Sequence, residues 1–113
     1  MKEIKAIIQP FVADRVLSAL REMMELPGAT VSEVKGFGRG RAFSPSDSSD
    51  EVEIFGVKKI KLEIVVPDHL VEKVVQLIAR RAHTGNPGDG KIFISTVDDV
   101  VKIRTGEHQV EAL

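Results

Sequence analysis

Two segments of the chain share one order: an alternating apolar run, a proline, and then a run with helical spacing. In "EIKAIIQP" the apolar residues alternate until Pro10 ends the strand, and helical spacing begins at Ala13. In "VKKIKLEIVVP" they alternate again until Pro67, after which a second helix is predicted. Two β-α units of this kind predict a small sheet with helices on one side.

The remaining strands complete this arrangement. "ATVSEVKGF" alternates and predicts a strand after the first helix, "KIFISTV" predicts one after the second, and "VKIRTG" predicts a short last strand before a polar tail at about 105–113. We therefore predict an α+β fold, a ferredoxin-like split βαββαβ sandwich, as a single domain over residues 1–113. The predicted core consists of Ile4, Ala6, Ile8, Val16, Leu17, Leu20, Met23, Met24, Ile60, Leu62, Ile64, Val66, Leu70, Val71, Val74, Val75 and Ile78.

The second face of this sheet has no helix to cover it. It carries Lys, Glu, Ser and Thr together with some Val and Ile. An open antiparallel sheet face with apolar residues indicates self-association through that face. We expect a homo-oligomer.

Composition excludes several classes of function. The 113 residues contain no cysteine, which excludes a disulfide scaffold, a thiolate metal site and a cysteine nucleophile. The net charge of -1 and the absence of tyrosine and tryptophan argue against nucleic-acid binding. The three histidines have no metal-ligand spacing, and no apolar run is long enough to cross a membrane. We expect a cytoplasmic protein without a metal centre.

Glycines and cations are concentrated in three segments: "KGFGRGR", "TGNPGDGKIF" and "VKIRTG". Glycine lets backbone N–H groups approach a phosphate, and Lys or Arg supplies the opposite charge. Each segment alone would be read as a turn with solvated charges, and none matches a Walker A loop. The three together, at strand ends that can converge, predict a local phosphate site.

The longest of these motifs also carries a family resemblance. "TGNPGDGKIFI", with "VKGFGR", "KIKLEIVVPD" and "IRTGE", resembles the PII signal-transduction proteins over nearly the whole chain. The resemblance implies a homotrimer that binds ATP or ADP in clefts between subunits. It also implies a T-loop, at about 38–56, that docks on a target enzyme or membrane transporter.

The resemblance also assigns residues to these roles. Thr84 and the segment 88–91 belong to the signature, and Lys102 stands where the family usually has arginine. The implied partner-binding loop residues are Arg41, Phe43, Ser48, Ser49, Asp50 and Val52. The implied nucleotide-binding residues are Ile7, Thr30, Gly36, Phe37, Gly38, Arg39, Lys59, Glu63, Val65, Thr84, Gly88, Asp89, Gly90, Lys91, Lys102 and Arg104.

The loop departs from the family pattern at three positions. Val52 occupies the position of the tyrosine that is usually uridylylated, and Asp50 that of a serine phosphorylated in some relatives. Gly40 replaces a glutamine that helps to bind Mg²⁺ with 2-oxoglutarate, and Gln9 replaces a common lysine. We therefore expect no uridylylation of the usual kind, weakened Mg²⁺ binding, and weak or absent 2-oxoglutarate sensing.

Three alternatives remain open at this point. The atypical loop is compatible with a PII-like regulator of a metal-efflux or other transport system outside nitrogen metabolism. A weak nucleotide hydrolase would have to use Asp89 or Glu63 near the phosphates, although no residue is evidently placed to orient water. A purely structural trimer would bind no nucleotide at all.

Overall fold

The computed structural model describes residues 1–39 and 56–113. The order along the chain is β-α-β-β-α-β, as the sequence predicts. The elements are β1 (Lys2–Ile8), α1 (Pro10–Arg21), β2 (Thr30–Gly36), β3 (Val57–Val66), α2 (Val71–Ala82) and β4 (Gly90–Thr96), with 3-10 turns at Asp68–Leu70 and Gln109–Ala112.

The four strands form one sheet in the order β2-β3-β1-β4. All three pairings are antiparallel, and β1 lies between β3 and β4, with Ile4 opposite Ile64 on one side and Ile94 on the other. Both helices pack on the same face of this sheet. The ferredoxin-like fold is confirmed.

The core lies between the helices and the alternating apolar residues of the two central strands. Leu62 and Val74 are fully buried, and the predicted alternation in β1 and β3 is confirmed. Met23 is also buried, but Met24 is 90% exposed, so its assignment to the core was wrong. The helix ends at Arg21, and the helical spacing therefore does not extend to Met24.

The first helix begins three residues earlier than predicted, at Pro10 instead of Ala13. Proline suits the first helical position because the missing N–H would have no intrahelical partner there and its fixed φ matches the helix. Pro10 thus ends β1 and begins α1 at the same point.

The prediction of a last strand at 101–106 was wrong. Val101 forms one isolated antiparallel bridge with His108, and the backbone between them bonds to itself. The N–H groups of Gly106 and Lys102 donate to the carbonyls of Lys102 and Glu107, at 2.7 and 2.9 Å. Because the turn uses these groups, the segment does not extend the sheet. The tail that follows is not wholly polar, since Ala112 is buried.

The ends of the predicted T-loop meet at the edge of the sheet. Gly36 pairs with Val57 in the last position of the β2–β3 ladder. Gly56 has φ +88°, and a Cβ there would lie 2.1 Å from the carbonyl oxygen of Gly36. The predicted loop residues Gly40, Arg41, Phe43, Ser48, Ser49, Asp50 and Val52 lie outside the described residues.

Candidate functional site

The strand residues predicted to bind nucleotide share one face of the sheet. Antiparallel partners point to the same side, and the register pairs Thr30 with Glu63, Lys61 with Ile7, and Ile7 with Lys91. Lys59 and Val65 lie on the same side of β3, because residues two apart along a strand share a face. This open face is opposite the face covered by the helices.

One end of the open face forms a corner between β3 and the loop before β4. The Nζ atom of Lys59 donates a hydrogen bond to the carbonyl oxygen of Gly88, at 3.1 Å. Burial lowers the pKa of Lys59, and the nearby Asp89 carboxylate opposes this effect. Lys91, the second residue of β4, lies beside Ile7 on the same face. We call Lys59 and Gly88–Lys91 the loop corner; it combines two lysines with exposed loop backbone, which is suited to phosphate.

Asp89 organises this loop through hydrogen bonds to its carboxylate. The N–H groups of Thr84 and Gly85 donate to Oδ2 at 2.8 and 2.9 Å, and the Thr84 hydroxyl donates to Oδ1. The Thr84 hydroxyl and these backbone donors lower the pKa of Asp89 to about 2. A carboxylate with such a low pKa is a weak general base near neutral pH. The geometry therefore favours a structural role for Asp89 and weakens its case as a hydrolytic residue.

Gly90 permits the close contact between this loop and β1. Its φ is +103°, and a Cβ at this position would lie 1.8 Å from the carbonyl oxygen of Ile7. Only glycine tolerates both the positive φ and this contact. Gly90 thereby sets where Lys91 enters the sheet.

An open pocket of about 400 Å³ lies at the other end of the same face. It is lined by Thr30, Glu63 and Val65, which are three of the residues that the resemblance assigns to nucleotide binding. Lys61 Nζ lies 3.2 Å from Glu63 Oε1 and forms an ion pair with it. The pocket's other lining residues are Glu3, Pro27, Gly28, Ala29, Ala112 and Leu113. We call this cavity the sheet-end pocket.

Comparison with known proteins identifies the family. The family model described as nitrogen regulatory protein P-II matches residues 1–107. The chain belongs to the P-II family. The chain is 45% identical to the nitrogen regulatory protein P-II of Azospirillum brasilense, 48% to that of Microchaete diplosiphon and 47% to nitrogen regulatory protein P-II 1 of Escherichia coli, in each case over the full length of both chains.

The remaining predicted site residues of this P-II protein lie in two further places. Gly36, Phe37, Gly38 and Arg39 follow one another at the end of β2, where the T-loop begins. Lys102 and Arg104 lie in the turn closed by the Val101–His108 bridge; the hydrogen bonds of Lys102 are backbone bonds within that turn. The fold of the single chain therefore brings together the loop corner and the open face, but it does not bring Lys102 and Arg104 into contact with them.

Several residues beside these features were not predicted as site residues. Gln9 reaches the loop corner, since a Cβ on Gly88 would lie 2.8 Å from its Nε2 atom. His83 Nδ1 lies 3.8 Å from Asp89 Oδ2 at the end of α2. Pro27–Ala29 and the tail residues of the sheet-end pocket carry no charge or motif that points to a ligand. Only Gln9 offered a signal in the sequence, because it replaces a common lysine of the family pattern.

No helix among the described residues is long and apolar enough to cross a membrane. Within the same residues, no group of three or more His, Asp and Glu side chains is arranged to hold a metal ion.

Proposed function

We propose that this P-II chain is a cytoplasmic signal-transduction regulator that folds as one domain and assembles as a homotrimer. It binds ATP or ADP in clefts between subunits and controls a target enzyme or membrane transporter through the loop at 38–56. The names of the relatives, nitrogen regulatory proteins, support a target in nitrogen metabolism over the alternative of a metal-efflux system.

The observation that carries this proposal is that the residues predicted to bind nucleotide share the open face of the sheet. Cationic groups, Lys59 and Lys91, lie at one end of the open face, and the sheet-end pocket lies at the other. Val65 lies six positions after Lys59 along β3, which corresponds to roughly 20 Å. An extended nucleoside triphosphate fits this arrangement with its phosphates at the loop corner and its base in the pocket. Lys102 and Arg104 of a second subunit would complete the phosphate side, which is why the cleft requires assembly.

Binding at this face would reach the T-loop directly. Gly36 is the last residue of β2, and Gly38 and Arg39 follow it into the loop. If ATP and ADP contact these residues differently, they favour different loop conformations, and a partner that prefers one conformation reads the adenylate state. Because Gly40 and Gln9 remove two side chains used for Mg²⁺ and 2-oxoglutarate in the family pattern, we propose weak or absent sensing of that acid.

Calorimetry with the purified protein tests nucleotide binding. We expect saturable binding of ATP and ADP and a particle mass of three times 12.4 kDa by light scattering. Synergistic micromolar binding of ATP, Mg²⁺ and 2-oxoglutarate would contradict the expected loss of sensing. A lack of binding for both nucleotides would refute the proposed function and favour a structural trimer.

A pair of neighbouring lysines tests the binding face. Lys59→Met removes a cation from the loop corner and should weaken ATP binding about tenfold or more, since a hydrogen bond to a charged group contributes about 1.5–3 kcal/mol. Lys58→Met is the control, because Lys58 points to the other face, where its Nζ lies 3.0 Å from Glu33 Oε1. Equal effects of both substitutions would contradict ligand binding on the open face.

We also propose that the chain does not turn over nucleotide as its function. The low pKa of Asp89 argues against that carboxylate as a base, and Glu63 is paired with Lys61. Release of phosphate from ATP within seconds, abolished by Asp89→Ala, would instead support the hydrolase.

A further inference from the structure

The chain after β4 folds back towards the sheet and is held there by Asp99. The carboxylate accepts hydrogen bonds from His108 Nδ1 at 2.7 Å, from Gln109 Nε2 at 3.0 Å and from the Gln109 backbone N–H at 3.2 Å. It also accepts a bond from the Val100 N–H at 2.8 Å. These bonds, the one from His108 above all, lower the pKa of Asp99. We call Asp99, His108 and Gln109 the tail clamp.

Gln109 determines the direction that the tail takes after the clamp. Its φ is +62°, an uncommon conformation for a residue with a side chain. The conformation is held by four bonds: the backbone N–H donates to Val100 O at 3.0 Å as well as to Asp99, and Nε2 donates to Asp98 O at 3.2 Å as well as to Asp99. The clamp therefore fixes a specific change in chain direction.

The residues that follow this change in direction reach the sheet-end pocket. Ala112 is 7% exposed, and Ala112 and Leu113 line the pocket together with Thr30, Glu63 and Val65. The tail comes from the β4 edge of the sheet, whereas Thr30 begins the opposite edge strand. The tail thus crosses the end of the open face and meets the pocket from the side.

We propose that the tail clamp is a positioning device for the nucleotide base: Asp99, through His108 and Gln109, holds Ala112 and Leu113 as a wall of the sheet-end pocket. This inference rests on the proposed function, since the ligand is an adenine nucleotide whose base occupies that pocket. The tail is a wall and not a plug, because the pocket beside it has about 400 Å³ of open volume, within the usual range for small-molecule sites. Release of the tail therefore weakens base binding and does not uncover a blocked site.

The test compares ligands that share the phosphates but differ in the base. ATP and inorganic tripolyphosphate are titrated as competitors of a fluorescent ADP on the full chain and on Asp99→Ala. We expect Asp99→Ala to weaken ATP binding by about tenfold and to leave tripolyphosphate within about twofold. The pocket wall loses its order, while the loop corner stays and the turn that carries Lys102 and Arg104 keeps its own backbone bonds and the Val101–His108 bridge. Asp98→Asn is the matched control: its backbone carbonyl, which the substitution keeps, accepts the Gln109 bond.

A second variant keeps the test decisive if Asp99→Ala does not fold. Gln109→Gly accepts the positive φ without strain and removes only the side-chain bonds to Asp98 and Asp99, so it should show a smaller loss in the same direction. Unchanged ATP affinity in both variants would overturn the inference and leave the proposed function standing. An equal loss of affinity for ATP and tripolyphosphate, or tighter binding of ATP, would also overturn the inference. A wild-type chain that binds no ATP would refute the function and the inference together.

Discussion

Gly90→Ala is the substitution for which the structure makes the strongest stability prediction. The added Cβ would lie 1.8 Å from the carbonyl oxygen of Ile7 and 2.9 Å from its carbonyl carbon. Both atoms belong to the backbone of β1, a central strand, so no side-chain rotation can relieve the overlap. The strand β4 must instead move away from β1 by more than about 1 Å before the contact reaches an ordinary distance.

The cost has two parts. Holding an L-residue at φ +103° costs about 1–2 kcal/mol. The movement also breaks the first pairs of the β1–β4 ladder, Ile8 with Gly90 and Ile7 with Lys91. Two backbone hydrogen bonds contribute about 0.5–1.5 kcal/mol each. The free energy of unfolding should therefore fall by about 3 kcal/mol.

Gly106→Ala is the matched control for the conformational part. Gly106 has φ +76°, but a Cβ there meets nothing within 4 Å, so only the cost of about 1–2 kcal/mol remains. Both variants are compared with the wild type by urea denaturation at one protein concentration, because the proposed assembly would make the midpoint concentration-dependent. If Gly90→Ala is no more destabilising than Gly106→Ala, the steric reasoning is wrong.

Three further predictions concern the core and the loop. Leu62→Ala removes a fully buried side chain and should lower the free energy of unfolding by about 2–5 kcal/mol in the same assay. Met23→Ala should lower the free energy of unfolding by about 2 kcal/mol or more, because Met23 is buried, whereas Met24→Ala should change it by less than about 0.5 kcal/mol, because Met24 is exposed. Similar values for the two variants would contradict this difference in burial. The pKa of Asp89 falls from 3.8 to about 2 on folding, so its stabilisation is complete above about pH 4 and is lost as the pH falls through 2. In the Asp89→Asn variant, the urea midpoint should decline less between about pH 4 and pH 2 than in the wild type. The same decline in both proteins would show that the Asp89 carboxylate does not contribute this stabilisation.

The strands of the fold could be predicted because their signal is local. Alternating apolar residues in "KLEIVV" can bury one side only as a strand, and Pro67 ends that pattern regardless of tertiary context. The start of α1 was missed because Pro10 was taken only as the end of a strand, although proline is also favoured at the first helical position. The last strand was predicted wrongly because one bridge at Val101 and a turn satisfy the local backbone, and a local pattern does not reveal that alternative.

The candidate site was predictable to the extent that glycine and lysine signal phosphate contacts. The sequence predicted that three glycine and cation segments could converge at strand ends. The contact of Lys59 with Gly88, at 3.1 Å, joins one of these segments to β3, and the spacing of the segments did not predict that contact. The bonds of Asp89 could not be predicted, because the direction of a carboxylate depends on the conformation of its own loop. The C-terminal tail was predicted only to be polar. Ala112 is nevertheless buried, because the chain changes direction at Gln109 and brings Ala112 back against the sheet.

The contact between Gly56 and Gly36 has a consequence for how such a protein can diversify. The sheet already holds the two ends of the intervening segment together, so lengthening that segment adds a conformational-entropy cost of only about 0.6 kcal/mol for each doubling in length. Insertions, deletions and wholesale replacement between these two glycines should therefore be tolerated by the folded domain. A segment of another recognition specificity can be grafted at this junction while the sheet below it stays the same.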